Sequence, residues 1–282
     1  MKKLMLLTLA AAITVFSFAQ DAAEKINQAN EALQAKDYQK AFSLYDEAMG
    51  NLGDVQVDES INFNIGFAAY KSENMDAALK YFDKAIEVGA NVSKSHNYKA
   101  LIYSDKDQFD NAVESFEKAM ETAEEPDESM YYKAAIAAYR GGMLDKAVEY
   151  FGKSVEEGYN AETALYYKAV ALNKQGKDDE YEATLKQGAE KFPNDDKITS
   201  ALAKIYVSQA NNLYKQGAAV LTSANEKVSA GTIKTSDEAY KTEVAKAQDI
   251  FRNAIDVLEK AEELDASNAN IKKLKDACNA VL

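Results

Sequence analysis

Few side chains in this 282-residue sequence could form a catalytic pair or a metal site. His96 is the only histidine and Cys278 the only cysteine, so there is no second imidazole for a proton relay or a metal site. The adjacent carboxylates Glu124–Glu125 and Asp178–Asp179 lie in turn-like segments, where solvated charge is the common explanation. The phosphate-binding loop G-x-x-x-x-G-K-[ST] and the motif G-x-G-x-x-G are both absent. We therefore expect no enzyme activity, no metal and no cofactor.

The two unique side chains also have structural interpretations. A single cysteine excludes an internal disulfide and a thiolate-based metal site. In the helical pattern IKKLKDACNAVL, Cys278 is interpreted as a small packing residue, and the alternative is that it couples two molecules. His96 is likewise expected to pack between helices rather than to act as a base.

The helices that would carry any binding site follow a repeated pattern. DAALKYFDKAIEVG, from residue 76, returns as DNAVESFEKAME from residue 110 and as DKAVEYFGKSVEEG from residue 145. Each copy has a small, an aromatic and a small residue at offsets of four and three, which fall on one helical face. We call these sets the packing triplets. They are Ala41, Tyr45 and Ala48; Ala78, Phe82 and Ala85; Ala112, Phe116 and Ala119; Ala147, Phe151 and Ser154.

Each packing triplet lies on the second helix of a helix–turn–helix unit. The first helix carries a small residue twelve positions before the triplet, namely Ala29, Gly66, Ala100 or Ala135. The polar segments QAKD, KSEN, SDKD and RGG are predicted as the turns between the two helices. The first alanines of successive triplets are 37, 34 and 35 residues apart.

This unit length, the small residue of the first helix and the triplet resemble the tetratricopeptide repeat family, whose unit has about 34 residues. The resemblance implies an all-α fold, a right-handed α-solenoid of helix–turn–helix repeats. Five repeats are expected at about residues 22–55, 59–92, 93–127, 128–161 and 162–195. The fifth is a degenerate copy, because Tyr181, Leu185 and Gly188 replace the usual triplet.

A sixth, extended repeat is predicted over residues 196–267. It begins with Leu202 and Ala203 and ends with Ala254 and Leu258, but an insertion at about 208–247 separates the two parts. Because apolar residues in the insertion keep helical spacing, we expect both helices to lengthen into an antiparallel hairpin. Residues 268–282 would form a C-terminal capping helix.

The resemblance also implies where a partner would bind. In this family, binding commonly uses the concave groove formed by the first helices of successive repeats. The aromatic candidates there would supply contact area for a peptide, and the basic ones would attract its carboxylates. In the alternative, the rings pack between helices and the bases are simply solvated. The candidates are Phe63, Phe67, Tyr70, Lys71, Asn97, Tyr132, Tyr139, Arg140, Tyr166, Asn173 and Lys174.

The sequence therefore predicts a protein-interaction module, a scaffold or adaptor, whose partner is a protein or peptide. A peptide- or ligand-capture protein is the alternative, and an unrecognised enzyme is a third. The long hairpin could provide a second contact surface or a homodimer interface. With 33 basic and 46 acidic residues, the chain is not expected to bind nucleic acid.

The N-terminus predicts export. Residues 1–19 combine two lysines, an apolar run and the small residues Ser17 and Ala19, as in a signal peptide cleaved after residue 19 or 20. A retained anchor is the alternative, but the run of about 13 residues is shorter than the roughly 20 that a membrane-spanning helix needs. We expect a periplasmic or secreted protein without stable membrane insertion.

Overall fold

The computed structural model describes residues 20–52 and 56–282, and the regular secondary structure within these ranges is entirely α-helical. This confirms the all-α prediction for the described part of the chain. The predicted signal peptide lies outside the described residues. The chain divides into two compact units between Tyr150 and Phe151.

The first unit is a series of helical hairpins. Its helices are α1 (residues 20–34), α2 (Tyr38–Gly50), α3 (Ile61–Lys71), α4 (Met75–Glu87), α5 (Val92–Asp105), α6 (Phe109–Glu121), α7 (Glu128–Arg140) and the start of α8 (Leu144–Glu156). From α2 to α6, each helix packs against the one that follows it. The odd-numbered helices up to α7 are therefore the first helices of the repeats, and the even-numbered ones are the second.

The turn inside each hairpin has the same backbone geometry. One residue of the turn has a positive φ, between 56° at Asp107 and 78° at Gly142. The next amide then donates to a carbonyl five residues earlier, as from Asn74 N to Ala69 O at 2.8 Å, which satisfies a carbonyl at the end of the helix. The predicted polar turns correspond to these positions. The residues with positive φ are Lys36, Glu73, Asp107, Gly142 and, in the second unit, Gly176.

The packing triplets form the core between the hairpins. Ala78, Phe82 and Ala85 are all fully buried, because their common face of α4 is covered by the neighbouring helices. A Cβ atom placed on Gly66 of α3 would lie 2.8 Å from Cδ1 of Phe82, closer than side chains pack. The Phe82 ring therefore occupies the space that the absent side chain of Gly66 leaves.

The second unit contains the end of α8, the hairpin α9 (Ala161–Lys174) and α10 (Asp178–Lys191), the long helices α11 (Asp196–Ser229) and α12 (Glu238–Leu264), and α13 (Ala269–Asn279). α11 has 34 residues and α12 has 27. They pack against each other, and only residues 230–237 join them, so they form the predicted antiparallel hairpin.

The hairpin has a contact pattern that the sequence analysis did not identify. On α11, a buried small residue recurs every seven positions, and we call this row the small-residue seam. It faces α12, since a Cβ atom on its Gly217 would lie 2.9 Å from the Phe251 ring. A seven-residue repeat of this kind is the pattern of a coiled coil, here with small side chains that let the helices approach closely. The seam consists of Ala203, Ala210, Gly217 and Ala224.

The last helix, α13, packs on α12 through Ile271 and Cys278, both of which belong to the buried core of the hairpin. Cys278 is fully buried, and burial raises the pKa of its thiol. The interpretation of Cys278 as a packing residue is therefore confirmed.

Candidate partner-binding site

The candidate aromatic residues of α3 form a cluster around a residue of the next first helix. The ring of Tyr98, on α5, lies 5.3 Å from Phe67, 5.2 Å from Tyr70 and 6.1 Å from Phe63, between ring centroids. On its other side it stacks on the buried Phe82 ring at 5.5 Å and an interplanar angle of 8°. We call Phe63, Phe67, Tyr70 and Tyr98 the aromatic cluster. All four are half-buried, so each ring both packs and presents surface.

Tyr98 was missed by the sequence analysis, but the sequence contains a signal for it. It lies sixteen residues after the triplet aromatic Phe82 and stacks on it. In the second unit Tyr167 lies sixteen residues after Phe151 and stacks on that ring at 5.8 Å. An aromatic residue sixteen positions after the triplet ring therefore stacks on that ring from the first helix of the next repeat.

Lys71 ends α3 beside the aromatic cluster. Its side chain is exposed, and Nζ lies 5.7 Å from the Phe67 centroid and 5.6 Å from that of Tyr70. A cation at this distance is attracted by the electron-rich faces of the rings. Lys71 is therefore positioned over the cluster, with its charge at the surface.

A groove of about 1180 Å³ runs beside the cluster. It is lined by Phe63 and Phe67 of α3, by Asn97 and Tyr98 of α5, and by residues of the connection between α6 and α7. The Oδ1 atom of Asn97 is buried and accepts no hydrogen bond from the described protein. Of the candidate residues, Phe63, Phe67 and Asn97 therefore line one groove.

A smaller cavity of about 230 Å³ lies between α5 and α7. It is lined mainly by apolar side chains, with the candidates Tyr132 and Arg140 among them. Arg140 is already engaged, because its Nη2 donates to Asp107 Oδ1 at 2.7 Å and its guanidinium lies 4.7 Å from the Phe109 centroid. The cavity can hold an apolar side chain, with a cation at its edge that a carboxylate of the protein already neutralises.

The other candidates do not belong to the aromatic cluster. Tyr139 is half-buried near the end of α7. Tyr166, Asn173 and Lys174 belong to α9 in the second unit, where Asn173 and Lys174 are exposed. Tyr166 is half-buried, with its ring 5.5 Å from Tyr167 in an edge-on arrangement and Lys197 Nζ 6.0 Å away.

Comparison with protein families assigns these helices. A model described as tetratricopeptide repeat matches residues 59–88 and 93–126, and a second model with the same description matches residues 132–196. This chain is a tetratricopeptide repeat protein. The matched ranges include all of the candidate residues, from Phe63 to Lys174.

Several solved structures resemble this one. MamA AMB-1 is 16% identical, with a TM-score of 0.50 over 60% of this chain and 90% of its own. A TPR repeats protein from Bacteroides fragilis is 22% identical, with a TM-score of 0.39 over 93% of this chain and 99% of its own. A tetratricopeptide repeat protein from Parabacteroides merdae is 16% identical, with a TM-score of 0.49 over 92% and 99%. At these identities, the likeness to MamA concerns the fold alone. No curated protein shows significant similarity to the chain.

Metal-binding clusters and membrane-spanning helices are both absent from the described part of the chain. Across residues 20–52 and 56–282, no group of three or more His, Cys, Asp and Glu side chains could hold a metal ion. Nor does any helix in those ranges combine the length and apolar character that crossing a membrane requires. Glu124 and Glu125 are exposed in the connection before α7, and Asp178 and Asp179 are exposed in the first turn of α10.

His96 of the tetratricopeptide repeat protein is half-buried on α5. Burial lowers its pKa below the usual 6.5, and Lys99 and Lys118 lower it further, whereas Asp83 and Glu114 act in the opposite direction. The folded chain therefore favours neutral imidazole. This is the state of a packed histidine.

His96 predicts a pH dependence of stability. As the pH falls through 6.5, the unfolded chain takes up the proton before the folded chain does, so the free energy of unfolding should decrease from pH 7.5 to pH 5.5. His96→Gln should flatten this slope, since His96 is the only histidine and carboxylates titrate at lower pH. Urea denaturation of the unmodified protein and of His96→Gln, at pH 7.5 and at pH 5.5, measures this change in the free energy of unfolding. Equal slopes would show that burial of His96 has no effect on its protonation.

Proposed function

We propose that this tetratricopeptide repeat protein is a scaffold or adaptor of the cell envelope that binds a segment of a partner protein on the first helices of its first unit. Tetratricopeptide repeats form protein-interaction modules. The single observation that carries the proposal is the aromatic cluster beside the 1180 Å³ groove. Half-buried rings are held in place by the core and still offer apolar surface, which suits them as anchors for a partner.

The size of the groove supports a peptide rather than a small molecule as its occupant. Small-molecule pockets have volumes of about 300–1,000 Å³ and enclose most of their ligand, whereas this groove is larger and lies along several helices. An extended segment could follow it from the cluster towards α7. The 230 Å³ cavity between α5 and α7 would accept one apolar side chain of that segment.

Site-specific photo-crosslinking tests this proposal. Benzoylphenylalanine in place of Lys71 would lie beside the aromatic cluster, and the same residue in place of Lys80 would lie on α4, the second helix of that repeat. Both lysines are exposed, so neither replacement should unfold the chain. In an envelope fraction, we expect a discrete crosslinked protein from position 71 and none from position 80. Equal crosslinking at both positions, or crosslinking at position 80 alone, would contradict the proposal.

The long α11–α12 hairpin is proposed as a second contact surface or a homodimer interface. Its distal half, residues 208–247, extends beyond the length of an ordinary repeat. Leu213, Tyr214, Val220 and Leu221 there are only partly buried against the core of the hairpin. Deleting residues 208–247 should then remove a partner or convert a dimer to a monomer in light scattering. Retention of the same partners and the same mass would exclude this role.

A periplasmic location is part of the proposal and rests on the N-terminal sequence. Cleavage after residue 19 or 20 would leave a mature N-terminus at the start of α1. N-terminal sequencing of the protein from a periplasmic fraction would detect that end. An intact Met1 would contradict the signal peptide.

A further inference from the structure

We propose that the groove beside the aromatic cluster takes a basic segment of its partner, one that carries arginine or lysine next to apolar residues. This inference rests on the proposed function and specifies the partner's chemistry. It gives the groove the opposite charge preference from the one expected from Lys71, Arg140 and Lys174.

The charged side chains that line the groove are mainly acidic. They are Glu124, Glu125 and Asp127, with Lys94 as the single base. Among the described residues, Glu124 and Glu125 have no ion-pair partner, and both are exposed. A cationic ligand could therefore pair with them without first displacing a base of the protein.

Asp127 adds a third carboxylate that is held in place. It caps α7 by accepting a hydrogen bond from Ser129 N at 2.8 Å, and it accepts a second from the Ser129 hydroxyl. These hydrogen bonds keep the pKa of Asp127 below its usual value, despite partial burial. Asp127 is therefore ionised at neutral pH and adds to the negative potential of the groove.

The aromatic walls suit a cation as well as apolar groups. Lysine and arginine are attracted to ring faces within about 6 Å of the centroid, and Lys71 already makes such a contact with Phe67 at 5.7 Å. Phe63 and Tyr98 have no cation of the described protein over their rings. Both residues line the groove, where a basic side chain of a partner could contact them.

The basic candidates are poorly placed to select an acidic segment. Arg140 is neutralised by Asp107 at 2.7 Å. Lys71 lies over the aromatic cluster and is not among the residues that line the groove. Residues 20–150 contain 13 basic and 25 acidic residues, so the summed field around this unit attracts cations. The local and the long-range charges favour the same ligand.

Two labelled peptides test the inference. Fluorescein-(Arg-Leu)4 and fluorescein-(Glu-Leu)4 are titrated with the full chain, and fluorescence anisotropy gives their affinities. We expect the Arg-Leu peptide to bind more tightly, and its affinity to fall as salt increases. Glu124→Gln with Glu125→Gln should weaken that binding by roughly three- to tenfold, as expected for two exposed charge pairs.

A matched control separates the groove from general attraction to an acidic protein. Glu156 and Glu157 are also adjacent and exposed at the end of a second helix, so Glu156→Gln with Glu157→Gln removes the same charge elsewhere. This variant should leave the affinity within about twofold of the unmodified chain. An equal loss in the two double variants would overturn the inference.

The remaining outcomes distinguish this inference from the proposed function. Tighter binding of the Glu-Leu peptide would overturn the basic preference, while crosslinking of that peptide from position 71 would still support the groove as a binding site. Binding of neither peptide would also overturn the inference. The proposed function would fall with it only if position 71 captured no partner from the envelope fraction.

Discussion

Phe82→Ala is expected to lower the free energy of unfolding of the first unit by about 3 to 5 kcal/mol, the cost of deleting a fully buried aromatic ring. Phe82 has no exposed surface. Its ring fills the space above Gly66 and stacks on Tyr98. Because Gly66 has no side chain and the Tyr98 ring is held by three other rings, the surrounding residues can close little of the cavity.

The effect should be local. In a repeat array each repeat contacts mainly its neighbours, so a defect spreads only to adjacent interfaces. Hydrogen exchange should therefore accelerate in α3, α4 and α5, while α11 and α12 keep their protection. Urea denaturation of the variant gives the total loss of stability.

Leu79→Ala is the matched control for Phe82→Ala. Leu79 lies on the same helix but is only half-buried, so its removal should cost about 1 kcal/mol, roughly half the transfer free energy of a buried leucine. Similar losses in the two variants would mean that the packing triplet does not dominate the interface. A loss below that of Leu79→Ala would contradict the burial of the Phe82 ring.

The repeat core could be predicted because several independent features of the sequence agree. Ala78, Phe82 and Ala85 recur with the helical period, and the small residue of the first helix recurs with them. The turns add a third feature, since a polar segment at each hairpin end contains the residue that adopts positive φ. Because the helical periodicity and the backbone requirements of the turns favour the same architecture, the repeat core could be predicted without knowing which residues contact each other.

The candidate site was only partly predictable, because its geometry depends on contacts between repeats. The three aromatic residues of α3 could be inferred from the groove positions of the family. Tyr98 occupies a different helical position and meets their rings only because α5 packs beside α3. The pairing of Arg140 with Asp107 likewise joins residues 33 positions apart. Neither contact follows from the pattern within a single helix.

The charge of the groove depends on a connecting segment rather than on a helix. Glu124, Glu125 and Asp127 lie between α6 and α7, and the sequence alone favours solvated charge at Glu124 and Glu125. In the structure all three line the same groove as Phe63 and Phe67. If only the first-helix positions are considered, the groove appears basic. Its complete lining, which includes the connecting segment, is mainly acidic.

The small-residue seam of the hairpin provides the second large expected effect. Gly217→Leu should lower the free energy of unfolding of the second unit by about 2 to 3 kcal/mol, the usual range for overpacking a tight core. A Cβ atom alone would already lie 2.9 Å from two atoms of the Phe251 ring. That ring is 1% exposed and also packs on Tyr214, so it has little room to move away.

The substitution separates packing from helix propensity. Leucine is a better helix former than glycine by nearly 1 kcal/mol, so propensity alone predicts that α11 becomes more stable. Ala219→Leu makes a similar increase in size two residues away, where the side chain is exposed. The control should change stability by less than about 0.5 kcal/mol.

Urea denaturation and hydrogen exchange of α11 and α12 measure both variants. If the hairpin is held by close approach along the seam, Gly217→Leu separates the helices beside Phe251 and raises exchange on both sides of that contact, whereas Ala219→Leu does not. An increase in stability with Gly217→Leu would mean that propensity outweighs packing. That result would contradict the explanation that the seam residues Ala203, Ala210, Gly217 and Ala224 are small because α12 packs closely against them.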